Sequence, residues 1–173
     1  MTTEHHHRPI VENAPAPELR QTTWRSEDDT AAFARQLAAQ PLLANAFITL
    51  HGDLGAGKTT LVRHLLRALG VEGRIKSPTY AVVEPHEVPH LDMAIWHFDF
   101  YRFSDPREWE DAGFRDIFAS PGLKLAEWPQ NAAALIPTAD IAIDIEAIDD
   151  TERRVTLQAH TARGRSLLQG MSA

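Results

Sequence analysis

A glycine-rich stretch between an apolar segment and an amphipathic one is the feature that most constrains this chain. Residues 52–60 read GDLGAGKTT, which fits the pattern G-x-x-x-x-G-K-[ST]. Glycines in such a loop allow backbone angles that side chains forbid, so successive N–H groups can converge on one anion. Residues 46–51 are apolar and partly β-branched, and the leucines after the loop have helical spacing. The pattern therefore predicts a strand, a phosphate-binding loop and a helix.

Two side chains of the loop indicate a nucleoside triphosphate. Lys58 is predicted to reach the β- and γ-phosphates as a point charge, and the Thr59 hydroxyl to bind Mg²⁺. The following helix, which we expect to end at Gly70, points its positive N-terminus at the same phosphates. Residue 60 is threonine, so the loop does not fit G-x-G-x-x-G and a dinucleotide site is disfavoured. An ordinary glycine-rich turn is the alternative.

Composition limits the other classes of site. With 173 residues and 43% hydrophobic residues, the chain is predicted to form one globular domain. It has no cysteine, which excludes disulfides, zinc ribbons and thiol catalysis. No signal core and no run of about 20 apolar residues is present, so we expect a cytoplasmic protein without a membrane span. A net charge of −7 argues against stable DNA binding through a broad basic face.

The remaining pattern predicts an α/β fold. Residues 1–20 contain prolines and a histidine run, and are interpreted as a flexible arm; 21–160 form the predicted domain and 161–173 a tail. A capping box at Ser26 predicts a helix to about Ala39, and Asp105 with Pro106 predicts a second, short helix. The predicted strands cover residues 80–84, 93–101, 123–126, 141–148 and 153–159. Together they indicate a single P-loop NTPase-like domain with a mixed β-sheet flanked by helices.

Two acids that follow apolar segments are candidates for the same site. Asp99 ends the segment 94–99, where P-loop folds place a carboxylate that holds Mg²⁺ beside the loop threonine. Glu127 ends the segment 123–127 and could orient an attacking water or complete the metal shell. A turn-forming aspartate and a solvent-facing glutamate are the alternatives. Trp128 could pack near the site or in the core.

Residues 76–80, KSPTY, form a further candidate element. The hydroxyls of Ser77 and Thr79 could sense a γ-phosphate or Mg²⁺, as in the switch loops of P-loop proteins. An inert turn before a strand would have the same composition.

Four motifs in a fixed order give the chain a family resemblance. GDLGAGKTT at 52–60, KSPTY at 76–80, HFDFYR at 97–102 and EW at 127–128 together resemble the TsaE (formerly YjeE) family. That family is the ATPase component in the bacterial biosynthesis of N6-threonylcarbamoyladenosine at position 37 of tRNA. The resemblance spans roughly residues 24–159. It implies an ATPase that binds ATP and Mg²⁺, is weak alone and depends on the TsaD and TsaB proteins, through which it meets tRNA indirectly.

The resemblance also implies a role for each site residue. Asp99 is the expected metal-side acid, and Glu127 the glutamate needed for hydrolysis, with Thr59 completing the metal ligands and Lys58 acting in catalysis. Thr79 is expected in the nucleotide-sensing loop, and Trp128 beside the nucleotide. The residues expected to surround the phosphates are Asp53, Leu54, Gly55, Ala56, Gly57, Lys58, Thr59 and Thr60.

Two other classes of function stay open at this point. A small-molecule kinase also needs a P-loop, but usually has an Arg-bearing lid after the core, and the sequence has no clear lid segment. A nucleotide-dependent binding module without significant turnover is the second alternative. The preference between ATP and GTP is open, although the absence of an Asn-Lys-x-Asp guanine-reading motif favours ATP.

Overall fold

The described part of the chain contains seven strands and five α-helices. The computed structural model describes residues 17–78 and 80–171. The strands are β1 (Glu18–Trp24), β2 (Phe47–His51), β3 (Val83–Glu87), β4 (Ala94–Asp99), β5 (Leu123–Glu127), β6 (Ile141–Ala147) and β7 (Arg153–Ala159). The α-helices are α1 (Glu27–Ala38), α2 (Lys58–Leu69), α3 (Pro106–Asp111), α4 (Phe114–Ala119) and α5 (Ala162–Gln169). Short 3₁₀ turns cover Pro41–Asn45 and Pro129–Ala132.

The strands form one mixed sheet, as the sequence predicted, in the order β1-β7-β6-β2-β5-β4-β3. The four central strands β6, β2, β5 and β4 are parallel. The outer strands pair in antiparallel fashion. Every residue of β5 is buried, which is typical of a parallel strand covered on both faces. The carboxyl ends of β2, β4 and β5 therefore lie at one edge of the sheet, where open α/β sheets bind ligands.

Alternating side chains divide the core between the two faces of the sheet. Leu125 of β5 belongs to an aliphatic cluster that also contains leucines of α1, α2 and α5. Its neighbour Ala126 belongs to an aromatic cluster with Trp109 of α3 and Phe114 of α4. Because successive strand residues point to opposite faces, α1, α2 and α5 cover one face, and α3 and α4 the other.

Helix α2 forms where the spacing of leucines predicts it. Its buried face includes Leu61, Leu65, Leu66 and Leu69. The helix ends at Gly70, whose φ of 101° is left-handed, and the Gly70 N–H donates to carbonyls of the last turn. This confirms the predicted glycine C-cap. Helix α2 packs beside α1 and against β5.

Several predicted boundaries differ from the structure. Strand β3 was expected at 80–84. Val82 has a left-handed φ of 64°, and pairing with β4 begins only at Val83. Helix α1 begins at the predicted place, but the Ser26 side chain makes no capping hydrogen bond. The backbone N–H of Arg25 instead donates to Asp29 Oδ2, at 2.8 Å.

The folded part extends past the predicted limits of 21–160 on both sides. Strand β1 already begins at Glu18 and pairs with β7 along its whole length. The expected tail contains α5, whose Leu167 and Leu168 have no exposed surface. Of the predicted arm, residues 1–16 lie outside the described part of the chain. Among the described residues, no helix has both the length and the apolar character of a membrane span.

Candidate functional site

The glycine-rich loop, defined here as residues 52–57, connects β2 to α2 at the carboxyl edge of the sheet. Gly52 has a φ of 146°, and a Cβ atom there would lie 2.4 Å from the Ile145 carbonyl oxygen, so no other residue fits without a backbone shift. Gly57 has a φ of 113° and precedes the first residue of α2. Within the described residues, no side chain caps this end of the helix. Its unpaired N–H groups can therefore serve an anion.

Lys58 is the basic group of the site. Its side chain is buried, with 5% of the residue exposed. The ammonium donates a hydrogen bond to the Gly52 carbonyl and lies 3.8 Å from the centre of the Trp128 ring. Burial lowers the pKa of Lys58, and the carboxylates of Glu127, Asp99 and Asp53 oppose this shift. Three carboxylates therefore lie close enough to the Lys58 ammonium to favour its charged form.

Glu127 links the helix to the sheet through both of its carboxylate oxygens. The Thr59 hydroxyl donates to Oε1 at 2.8 Å. The His97 ring nitrogen Nε2 lies 2.6 Å from Oε2. Only 3% of Glu127 and 1% of His97 are exposed. A carboxylate this deeply buried is costly unless donors satisfy it, and Thr59 and His97 supply two of them.

Asp99 lies next to Glu127 because the register of β4 and β5 pairs the two residues. Its side chain is half-buried, and the Tyr101 backbone N–H donates to Oδ1 at 2.9 Å. Burial raises the pKa of Asp99; the Tyr101 hydrogen bond opposes the shift and the Glu127 charge adds to it. The ionised form of Asp99 is therefore disfavoured in the protein by itself. A bound cation would favour it.

Trp128 begins the turn after β5 with a left-handed φ of 53°. Such a conformation costs about 1–3 kcal/mol for a residue other than glycine and is common at ligand sites. The indole packs against Tyr101, with ring centres 5.1 Å apart, and carries the Lys58 ammonium on its face. Trp128 lines the cleft and also packs against the aromatic core cluster, so it has both of the predicted environments.

An open cleft of about 320 Å³ brings most of the predicted residues together. Its lining comprises Leu54, Gly55, Gly57, Lys58, Thr59, Thr60, Ser77, Asp99, Tyr101, Arg102, Glu127 and Trp128. Asp53 and Ala56 line the neighbouring depression on the β6 side of the loop. Thr79 lies outside the described residues, so its predicted role stays a prediction.

Four further residues at or beside the site were not predicted from the sequence as functional. Tyr101 and Arg102 follow the strand-end acid directly and line the cleft. His97 lies two residues before Asp99, so strand alternation places both on one face; this periodicity was the available signal. Arg153 of β7 donates from Nε to the Ala56 carbonyl at 2.7 Å. Because the two residues are far apart in the sequence, no local sequence pattern predicts this contact.

The donor set of the cleft fits a hard cation carried by a phosphate ligand. Thr59, Asp99 and Glu127 offer oxygen atoms, which Mg²⁺ prefers. The described residues contain no group of three or more histidine, cysteine or acidic side chains arranged to hold a metal by themselves. Mg²⁺ commonly binds one or two carboxylates together with substrate phosphates and water, so these residues suit such a site.

The sequence of the chain is similar to those of known proteins over most of its length. The family model described as "Threonylcarbamoyl adenosine biosynthesis protein TsaE" matches residues 24–155. A "tRNA threonylcarbamoyladenosine biosynthesis protein TsaE" of Haemophilus influenzae is 42% identical over 125 residues, covering 72% of this chain and 77% of that protein. The protein of the same description from Bacillus subtilis is 32% identical over 156 residues, covering 89% of this chain and 96% of its own.

A solved structure shares the fold. The crystal structure of YdiB from Bacillus subtilis superposes with a TM-score of 0.71 and 26% identity. The match covers 88% of this chain and 93% of the other. The mixed sheet with its flanking helices is therefore a fold already observed.

Proposed function

Since this chain belongs to the TsaE family of tRNA threonylcarbamoyladenosine biosynthesis, we propose that it is an ATPase of that pathway. It binds ATP with Mg²⁺ in the cleft between the glycine-rich loop and the ends of β4 and β5. It hydrolyses ATP as the accessory component of the TsaD–TsaB pair. TsaD, and not this chain, transfers the threonylcarbamoyl group to adenosine.

The observation that carries the proposal is the contact between Thr59 and Glu127. A hydroxyl at the start of α2 and a buried carboxylate at the end of β5 meet at 2.8 Å, with Asp99 alongside and the Lys58 ammonium over the adjoining indole. Hydrolysis needs such an arrangement, because phosphoryl transfer depends mainly on positioning and on electrostatic stabilisation.

Each group has a distinct task in the proposed reaction. The N–H groups at the start of α2 and the Lys58 ammonium bind the phosphate oxygens. Asp99 and the Thr59 hydroxyl would hold Mg²⁺, and the ion would supply positive charge to the β- and γ-phosphates. Glu127 orients a water for attack on the γ-phosphorus and accepts its proton. The bond to the β–γ bridging oxygen breaks, and ADP and phosphate leave.

The proposal assigns hydrolysis a resetting role between rounds of transfer, not the formation of the modified base. Two features support dependence on partners. Leu54 and Tyr101 at the mouth of the cleft are exposed, and large exposed apolar side chains of this kind suit a protein contact. The net charge of −7 also suits a protein that meets tRNA through its partners rather than through a basic face of its own.

Phosphate release, measured with and without the TsaD–TsaB pair, tests the proposal. We expect slow release by the chain alone and faster release in the assembly. Glu127→Ala should reduce assisted turnover by at least about 10²-fold, the usual contribution of a general base. MgADP affinity, measured by calorimetry, should stay close to that of the unaltered chain.

Three results would contradict the proposal in whole or in part. Unchanged assisted turnover in Glu127→Ala would remove Glu127 from the reaction. Transfer of the γ-phosphate to a metabolite, with no free phosphate, would make the protein a kinase. If nucleotide binds but neither product forms, the chain is a nucleotide-dependent binding module.

A further inference from the structure

His97 is a buried ring in direct contact with the proposed catalytic carboxylate. It lies on β4, and its Nε2 atom is 2.6 Å from Glu127 Oε2. The register pairs His97 with Leu125, two residues before Glu127 on β5, so the two side chains are diagonal neighbours on one face. Because a carboxylate can only accept hydrogen bonds, Nε2 carries the hydrogen in this contact.

This contact is also what orients the ring. The Nδ1 atom of His97 is buried and has no hydrogen-bond partner among the described residues. The ring is otherwise enclosed, with 1% of the residue exposed. Buried polar atoms without a partner are uncommon in proteins and call for a specific reason. Here one ring nitrogen of His97 is unsatisfied, while the other contacts the Glu127 carboxylate.

The two oxygens of Glu127 have different partners. Oε2 is held by His97, a strand residue inside the sheet. Oε1 is held by the Thr59 hydroxyl, a group that the proposed function gives to Mg²⁺. A hydroxyl would bind a metal through a lone pair and would keep its O–H to donate, so Thr59 can serve Mg²⁺ and Oε1 together while Oε2 keeps the contact with His97. Oε2 is thus fixed from inside the sheet, and the remaining lone pair of Oε1 is the one left to accept a proton.

We propose that His97 is a positioning residue for Glu127. It fixes the plane of the carboxylate through Oε2, so that Oε1 is presented to the attacking water. The inference rests on the proposed hydrolytic role of Glu127 and assigns His97 no contact with the nucleotide. Groups of this kind, one shell away from the reacting atoms, typically change activity by about 10–100-fold when removed.

Variants at position 97 separate orientation from packing. His97→Gln retains an N–H near the Nε2 position, whereas His97→Asn is too short to reach Oε2 and His97→Phe retains the ring without the donor. The matched control is His86→Phe. His86 lies on the adjacent strand β3, paired with Ile95, and its Nε2 is likewise buried without a described partner, but its ring has no hydrogen bond to Glu127.

The measurements are kcat and KM for ATP hydrolysis by the chain assembled with the TsaD–TsaB pair, MgADP affinity by calorimetry, and the melting temperature without nucleotide. We expect His97→Phe and His97→Asn to lower kcat by about 10–100-fold while KM and MgADP affinity change less than about threefold. His97→Gln and His86→Phe should stay within about threefold of the unaltered chain in kcat. If His97→Phe melts below the assay temperature, the Gln–Asn comparison decides.

A double-mutant cycle tests whether His97 acts through Glu127. In a Glu127→Ala background, His97→Asn should cause no further loss of kcat, because residues that act as one unit are not additive. Equal kcat for the Gln and Asn variants, or additive losses in the cycle, would overturn the inference. These outcomes leave the proposed function intact, whereas absence of ATP hydrolysis by the unaltered chain assembled with the TsaD–TsaB pair would remove the proposed function itself.

Discussion

At the scale of single residues, the cleft contains an acid, Asp99, and a base, Lys58, whose charged forms are disfavoured by burial. Burial raises the pKa of Asp99 from its ordinary value of 3.8 and lowers that of Lys58 from 10.5. Both directions mean that the charged form is disfavoured in the protein by itself. A ligand that brings both phosphate and a divalent cation would favour the charged forms of both groups, which suits their place in the cleft at the edge of the sheet.

Asp99→Asn should make the nucleotide-free protein more stable at neutral pH. Because the folded-state pKa is raised, the ionised carboxylate opposes folding above that pKa, and the amide removes this penalty. Asparagine can still accept the Tyr101 N–H bond with its carbonyl oxygen. The gain should fade as the pH falls below the ordinary aspartate value of 3.8, where both states are protonated.

Denaturant unfolding at a series of pH values measures this effect. The control for loss of a charge is Asp105→Asn, at the half-buried N-cap of α3, where asparagine can still accept the Arg107 N–H. A stability gain that persists unchanged at acidic pH would contradict the stated cause. The same variant should bind MgADP more weakly than the unaltered chain, and the difference should disappear when ADP is offered with EDTA.

At the scale of elements, the sequence predicted those parts whose pattern is local. The leucine spacing of α2 and its glycine cap gave both ends of the helix to within two residues, and β7 was predicted with its observed limits, Arg153–Ala159. Strand β3 was misplaced because the left-handed φ of Val82 interrupts the predicted strand 80–84. Backbone propensities do not predict a left-handed conformation for valine. In the structure, the Asp99 N–H donates a hydrogen bond to the Val82 carbonyl.

Helix α5 was missed because it is short and its stability comes from tertiary contacts. Only its Thr161 cap and two leucines distinguish it from a polar tail. Its position is fixed by packing on β7 and by the close approach of Gly164 to the Asp140 carbonyl, where a Cβ would lie 1.9 Å away. Helices of this length rarely form without such contacts.

Leu167→Ala should therefore destabilise the whole domain. The side chain has no exposed surface, and truncation of a buried leucine typically costs about 2–5 kcal/mol. Ser166→Ala, at an exposed position on the same helix, should change the free energy of unfolding by less than about 0.5 kcal/mol. Urea unfolding measures both. Equal stability of the two variants would show that α5 is not part of the cooperative unit.

The candidate site was predicted to the extent that its residues belong to motifs. The loop, Asp99 and Glu127 were found because each follows an apolar strand, and parallel strands bring such ends together. The link from His97 to Glu127 was not found, because it depends on the register of β4 and β5, which the sequence does not reveal. The strain at Trp128 was equally hidden.

At the scale of the whole molecule, the candidate site lies at the carboxyl edge of the single described sheet. Both faces are covered by helices and core, so the loops at the carboxyl ends of β2, β4 and β5 form the site. The family match covers residues 24–155, and this range contains every residue placed in the cleft. The cleft is open to solvent and carries an exposed apolar rim, which suits a site completed by a partner.

A crystal structure with Mg²⁺ and a non-hydrolysable ATP analogue, in complex with the TsaD–TsaB pair, tests the central claim most directly. The proposal predicts the γ-phosphate beside the Lys58 ammonium and the metal on the Thr59 hydroxyl and Asp99. It also predicts that Glu127 Oε2 stays on His97 while Oε1 contacts a water in line with the γ-phosphorus. A nucleotide bound elsewhere, or a γ-phosphate with both carboxylates turned away from it, would contradict the account.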